Sequence, residues 1–183
     1  DSVVLASPVR AIEQDETGVN VHSEKGRWRA AFVIVTVPPA TVRRIGFSPA
    51  LPFHRTGLIE RLPMGMVIKS FLAYERPFWR DMGLSGDGTR TTGAFRTFAD
   101  ITPPNCTHGI LTGFFAGDPA RIWADRTEAE RRAQAIEDVA QFLGEEARNP
   151  LDYAENNWTQ EPWSIGGYSC IPTPGATSAF GRW

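Results

Sequence analysis

The chain has 183 residues, enough for one ordinary domain or for one domain with pieces of a second. A formal charge of −2 with no basic stripe argues against a nucleic-acid partner, and no apolar stretch approaches the roughly 20 residues that span a bilayer. The 42% hydrophobic content supports a sizeable core. Cys106 and Cys170 have neither metal-type spacing nor any sign of an oxidising compartment, so the cytoplasm is the expected setting.

The chain opens without Met, almost directly on an apolar strand pattern at Val3-Val4-Leu5. It stops at Phe180-Gly181-Arg182-Trp183 with no polar tail, so a segment of a longer protein is expected. Val9-Arg10-Ala11-Ile12-Glu13 reads as a strand, Glu16-Thr17-Gly18 as a turn, and Val19-Asn20-Val21-His22 as the next strand. After Lys25-Gly26, a third strand is expected from Trp28 to Val37, ending in the wholly apolar Phe32-Val33-Ile34-Val35 before Pro38-Pro39. These three make a meander.

Pro39 suits the first turn of a short helix through Arg43 and Arg44, and a second short helix is expected from Pro52 to Arg61. Met66 to Tyr74 reads as a buried strand, closed by Arg76-Pro77-Phe78-Trp79. Residues 81–93 have loop composition, and Gly93 to Ala99 and Gly109 to Ala116 read as strands. The strongest helix pattern covers 127–143. Thr127 and Glu130 form a capping box, Ala133, Ile136, Val139, Ala140 and Leu143 share a face, and Gly144 stops it. Leu151 to Trp158 is the last strand before a Gly- and Pro-rich tail. Strands and helices mixed without βαβ regularity predict an α+β fold, a mixed sheet with flanking helices.

Of nineteen basic residues only Lys25 and Lys69 are lysines, and Lys69 interrupts the apolar run from Met66. Alternation puts it on one face with Val67, Phe71 and Ala73. An ammonium buried there unpaired costs several kcal/mol or loses its proton, which an arginine never does. The alternative is a lysine that snorkels from the strand end to water.

A second dense segment runs from Asn156 to Tyr168, with Trp158, Trp163, Gly166-Gly167 and Tyr168. A double glycine lets backbone approach a flat ligand, and a neighbouring aromatic supplies a pocket wall; an ordinary turn with aromatic core residues has the same composition. Other constellations are missing. The chain has no P-loop, Gly86-Asp87-Gly88 lacks the rest of a dinucleotide fingerprint, and no Ser sits in a nucleophile elbow. His22, His54 and His108 have no metal spacing.

Leu62-Pro63-Met64-Gly65-Met66-Val67-Ile68-Lys69, Tyr74 and Phe78-Trp79 resemble the central segment of flavin-containing amine oxidases, the monoamine and polyamine oxidase family. So do Asn157-Trp158, Ser164-Ile165-Gly166-Gly167-Tyr168, Pro174-Gly175 and the strand Val33 to Val37 before Pro38-Pro39. The resemblance follows the same order over nearly the whole chain.

That resemblance implies a β-meander of the FAD-binding domain over residues 1–45, a substrate-binding domain over 46–160, and a return segment toward the FAD domain over 161–183. It implies that Lys69 holds a water against the flavin N5 as the catalytic residue. Trp158 would pack beside the isoalloxazine and Tyr168 would form one side of an aromatic cage, both touching substrate. Val9, Trp158, Gly166 and Gly167 would touch the cofactor, and no metal is implied. The reaction implied is oxidation of an amine to an imine, with oxygen as acceptor. Relatives that attach FAD covalently carry cysteine where this chain has Gly167, and Cys170 does not align, so non-covalent FAD is expected.

The family's N-terminal dinucleotide-binding unit and C-terminal FAD segment are missing from the pattern. The chain alone is therefore expected to hold no FAD and to be inactive without the remainder of its parent polypeptide. The implied partners are a small-molecule amine and that remainder. The rivals are a related FAD enzyme acting on an amino acid or on a carotenoid- or porphyrinogen-type compound, and a non-catalytic interaction module of the same fold.

Overall fold

The computed structural model describes residues 3–181; Asp1, Ser2, Arg182 and Trp183, at the outer ends of the expected 1–45 and 161–183 segments, lie outside the described residues. In chain order the strands and helices are β1 (Val9–Asp15), β2 (Gly18–Ser23), β3 (Gly26–Ala30), α1 (Pro39–Val42), β4 (Gly46–Ser48), α2 (Phe53–Ile59) and β5 (Val67–Tyr74). They continue with β6 (Gly88–Thr89), β7 (Thr97–Asp100), β8 (Gly109–Ala116), α3 (Asp118–Trp123), α4 (Glu128–Leu143), β9 (Asp152–Asn157) and α5 (Ala176–Phe180). Two compact units result. The first holds the residues up to Met64, Pro162–Ile165 and those from Ser169 onward; the second holds Gly65–Glu161 and Gly166–Tyr168.

In the first unit the strand order is β3-β2-β1-β4, with β4 parallel to β1 and the other pairs antiparallel. The first break of this compact division falls after Met64. The reason is local: β4 pairs with β1, and α2 lies against α5, where a Cβ on Gly57 would sit 2.4 Å from the Phe180 ring. Val3-Val4-Leu5 form no strand, and the third strand ends at Ala30 instead of running to Val37. Phe32 and Ile34 are 88% and 86% exposed, because no strand among the described residues takes up the backbone beyond Ala30.

The second unit holds an antiparallel sheet in the order β6-β7-β8-β5-β9. Ile68, Leu72 and Tyr74 of β5, Leu111 and Phe115 of β8, Phe98 of β7 and Tyr153 of β9 form its buried face. Ala135, Val139 and Leu143 of α4 and the fully buried Trp79 complete that core. The capping box is present, with Thr127 Oγ1 accepting from the Glu130 N–H while the Glu130 carboxylate accepts from the Thr127 N–H. Ala135 and the expected Ala140 are the buried alanines of the helix, while Ala133 is exposed.

Arg131, Glu155, Tyr153 and Ser70 form a paired polar network inside this core. Arg131 Nε donates to both Glu155 oxygens at 2.9 Å, Tyr153 Oη donates to Glu155 Oε2 at 2.7 Å, and Ser70 Oγ lies 2.9 Å from Tyr153 Oη. The strand expected from Gly93 begins only at Thr97. The Ala94 and Phe95 N–H groups donate to Asp138 Oδ2 at 2.9 and 2.8 Å, so a buried carboxylate replaces a strand partner there. β6, α3 and α5 answer to no sequence expectation; each is short, and propensity is weak over so few residues.

Candidate active-site face

The sheet of the second unit has unlike faces. Along β5, Ile68, Ser70, Leu72 and Tyr74 are buried, while Lys69, Phe71 and Ala73 are half-buried on the other side. The expected strand is therefore closed on one face and partly open on the other. Lys69 stands on the partly open face, neither sealed in apolar surroundings nor reaching freely to water. Its Nζ lies 5.0 Å from the Phe71 ring centroid and 5.9 Å from that of Phe114. No described residue hydrogen-bonds or ion-pairs with it.

Register explains who its neighbours are. Lys69 pairs directly with Phe114 in β8 and with Asn156 in β9, and Phe71 pairs with Thr112 and Ala154. The side chains of paired residues share a face. Of the strand positions on this face, only Asp152 carries a carboxylate, and it pairs with Ala73 at the far end.

The expected aromatic segment lies at the Lys69 end. Tyr168 packs its ring edge-on against Phe114, with centroids 5.7 Å apart at 77°. Its side is otherwise open, at 70% exposure, and the partial burial that remains raises its phenol above the ordinary tyrosine value. Gly167 donates its N–H to the Gly65 carbonyl at 2.9 Å. A Cβ there would come within 3.1 Å of Val67 Cγ1 and 3.8 Å of Trp158 Cβ, so glycine lets this backbone lie close against both. Gly166 is buried and has φ +133°, a conformation that favours glycine.

Trp158 opens the short 3₁₀ turn Trp158–Gln160 after β9 and is 36% exposed. Asn157 Oδ1 caps that turn, accepting from Thr159 N at 3.2 Å, while its buried Nδ2 has no partner. Lys69, Trp158, Gly166, Gly167 and Tyr168 thus belong to one unit. Val9 begins β1 of the other, paired with Ser23.

Sequence reasoning missed Phe114, the residue that links Lys69 to Tyr168. Its strand was legible, but its register against β5 was not. Among the described residues no group of three or more His, Cys, Asp and Glu could hold a metal ion, and His22 bonds Glu13 at 2.9 Å. Cys170 bridges to Met64 in the first unit.

The chemistry of this face is one ammonium without an anionic partner among aromatic rings on a largely apolar floor. Such a donor set fits the edge and face of a flat, acceptor-rich heteroaromatic ring.

The family model described as flavin containing amine oxidoreductase matches residues 1–183. An L-amino acid dehydrogenase of Synechocystis is 39% identical over 182 residues, covering 100% of this chain and 39% of that protein. The flavin-containing amine oxidase B of Bos taurus is 37% identical over 190 residues, covering 100% of the chain and 36% of the relative. A wild-type putrescine oxidase structure bound to putrescine superposes with a TM-score of 0.94 at 32% identity, covering 99% of this chain and 40% of that one. The chain therefore spans about two fifths of the length of these relatives. Its order of motifs, its two sheets and the full-length family match make it a member of the flavin-containing amine oxidoreductases.

Proposed function

We propose that this chain is the substrate-binding part, with a strip of the FAD-binding part, of an FAD-dependent amine oxidase. The observation that carries the reading is the half-buried Lys69, held without a counter-ion among aromatic rings on the open face of the β5–β8 sheet. When bound, FAD supplies the two-electron acceptor for the carbon beside the amine nitrogen. Lys69, Trp158, Gly166 and Gly167 would flank its ring. Val9 would also touch the cofactor, and the rest of its binding would come from the remainder of the parent polypeptide. Gly167 offers no sulfur, so the attachment is non-covalent.

The chain's own residues do three things in this scheme. Tyr168 and Trp158 present ring faces that orient an amine and exclude water from it. The apolar floor favours the neutral amine over the ammonium, because a charged nitrogen would lose hydration there without a carboxylate partner. Lys69 Nζ holds a water and controls a proton beside the reacting centre. With a lone cation and no carboxylate at this end of the face, a second ammonium on a diamine would be opposed, so a monoamine is the favoured class.

The 39% identity to a protein named as an L-amino acid dehydrogenase favours one alternative, an amino acid substrate with an acceptor other than oxygen. The deciding experiment uses the complete protein and its Lys69→Met variant. Methionine roughly matches the lysine stem, a swap cores tolerate within about 1.5 kcal/mol. Reductive and oxidative half-reactions would be followed by stopped flow with monoamines, diamines and L-amino acids. Slowed half-reactions with normal FAD content are expected; unchanged rates in both would remove Lys69 from the reaction. Acid precipitation should release the FAD, and the 183-residue chain alone should purify colourless.

A further inference from the structure

Lysine has a long flexible stem, and nothing anionic holds Lys69 in place. An ammonium with no partner would spread over many rotamers at the edge of the face. Two rings limit it. Phe71 is two residues along the same strand and hence on the same side, its centroid 5.0 Å from Nζ, inside the roughly 6 Å range of cation–π attraction. Phe114, directly opposite Lys69 in β8, stands at 5.9 Å.

The two rings differ in their other commitments. Phe114 is also packed edge-on against Tyr168. Phe71 has no aromatic partner among the described residues, and its strand neighbours are Thr112 and the small Ala154. Its backbone is held on both sides, by β8 and by β9. The ring is thus mounted on the central part of the sheet, with Lys69 Nζ 5.0 Å from its centroid.

We propose that Phe71 is a positioning residue for Lys69, fixing the ammonium over the open sheet face through its ring. The proposal rests on the reading of Lys69 as a reaction residue, and it concerns how the amine is aimed, not the bonds it makes.

The chain's composition makes the test direct, because Lys25 and Lys69 are its only lysines. In a 13C-lysine-labelled sample of the 183-residue chain, the ε-CH2 resonances should number two, assigned with Lys25→Arg. The Lys69 signal should be displaced by the Phe71 ring current, move toward the Lys25 position in Phe71→Leu, and stay displaced in Phe71→Tyr. A Lys69 signal that coincides with Lys25, or that ignores Phe71→Leu, would overturn the proposal.

In the complete protein, Phe71→Leu should slow turnover by about two- to fivefold, the share of an orienting cation–π contact at a partly exposed site, and Phe71→Tyr should restore it. Full turnover in Phe71→Leu, or equal loss in Leu and Tyr variants, would also overturn it, since a packing role alone does not distinguish an aromatic rescue. Intact turnover in Lys69→Met would instead remove the functional reading beneath it, while the resonance data would still judge the ring contact by itself.

Discussion

Glu155→Gln should be among the most damaging conservative changes in the second unit. The Arg131 and Glu155 side chains are only 8% and 7% exposed, and Arg131 Nε reaches both carboxylate oxygens. Breaking a buried ion pair by neutralising one member costs about 3–5 kcal/mol, because the other charge is left desolvated. Two facts place the loss near the lower end. Arg131 also donates to the backbone carbonyls of Trp123 and Arg126, and Tyr153 keeps Ser70 as a partner.

A loss of about 3 kcal/mol corresponds to a fall of roughly 6–12 °C in Tm for a chain of this size. By contrast, Asp118→Asn breaks a pair that is 65% and 83% exposed and should cost under about 1 kcal/mol. Thermal and urea unfolding by far-UV circular dichroism would compare the variants, with amide hydrogen exchange in α4 identifying the second unit's transition. Arg131→Met combined with Glu155→Leu removes both charges, leaving only two carbonyls without their donor, so the pair of changes should be milder than Glu155→Gln. If Glu155→Gln behaves like Asp118→Asn, the inference from burial to energy is wrong here.

Gly113→Ala should destabilise the fold by about 1–3 kcal/mol through overpacking and so lower the urea midpoint, since its Cβ would stand 2.2 Å from the buried Phe95 ring and 2.8 Å from the Thr97 carbonyl; an unshifted midpoint would contradict that geometry. Burial pushes the Asp100 carboxyl up, but hydrogen bonds from Thr102, Trp79 and Arg80 outweigh it and hold it below the usual carboxylate range. Its stabilisation is therefore complete above the ordinary aspartate value of about 4 and is lost as pH falls through the lowered folded value. Asp100→Asn should flatten the acid-unfolding curve in that window, read from tryptophan fluorescence, and superimposable curves would refute the assignment. Thr127→Ala should cost about 1 kcal/mol through loss of the α4 cap, and hydrogen exchange at Glu130 would report it first.

Periodicity carried the parts of this fold in which local pattern and tertiary contact agree. The alternation from Val67 to Tyr74 and the cap at Thr127 both survive into the structure, the cap because it closes within one element and the alternation because the strands on either side bury the same face. Where a distant group supplies the partner, the local pattern misleads. Ala94 and Phe95 look like strand residues, yet Asp138, more than forty positions away, takes their N–H groups. Phe32 to Val35 reads as a core strand, yet nothing described here pairs with it.

The same distinction governs the candidate site. Alternation put Lys69 beside Phe71, and the apolar run made an isolated charge look expensive. What offsets that expense is a pair of ring faces and a half-open surface, with no carboxylate opposite. One ring lies two residues away and was legible. The other is Phe114, brought alongside by a register between strands some forty residues apart, and only that register ties Lys69 to Tyr168. A search of the sequence for a charge partner therefore finds none, and the absence is itself informative. An ammonium paired with a carboxylate is committed to it, whereas one held by rings keeps its protons available to a water or a substrate nitrogen.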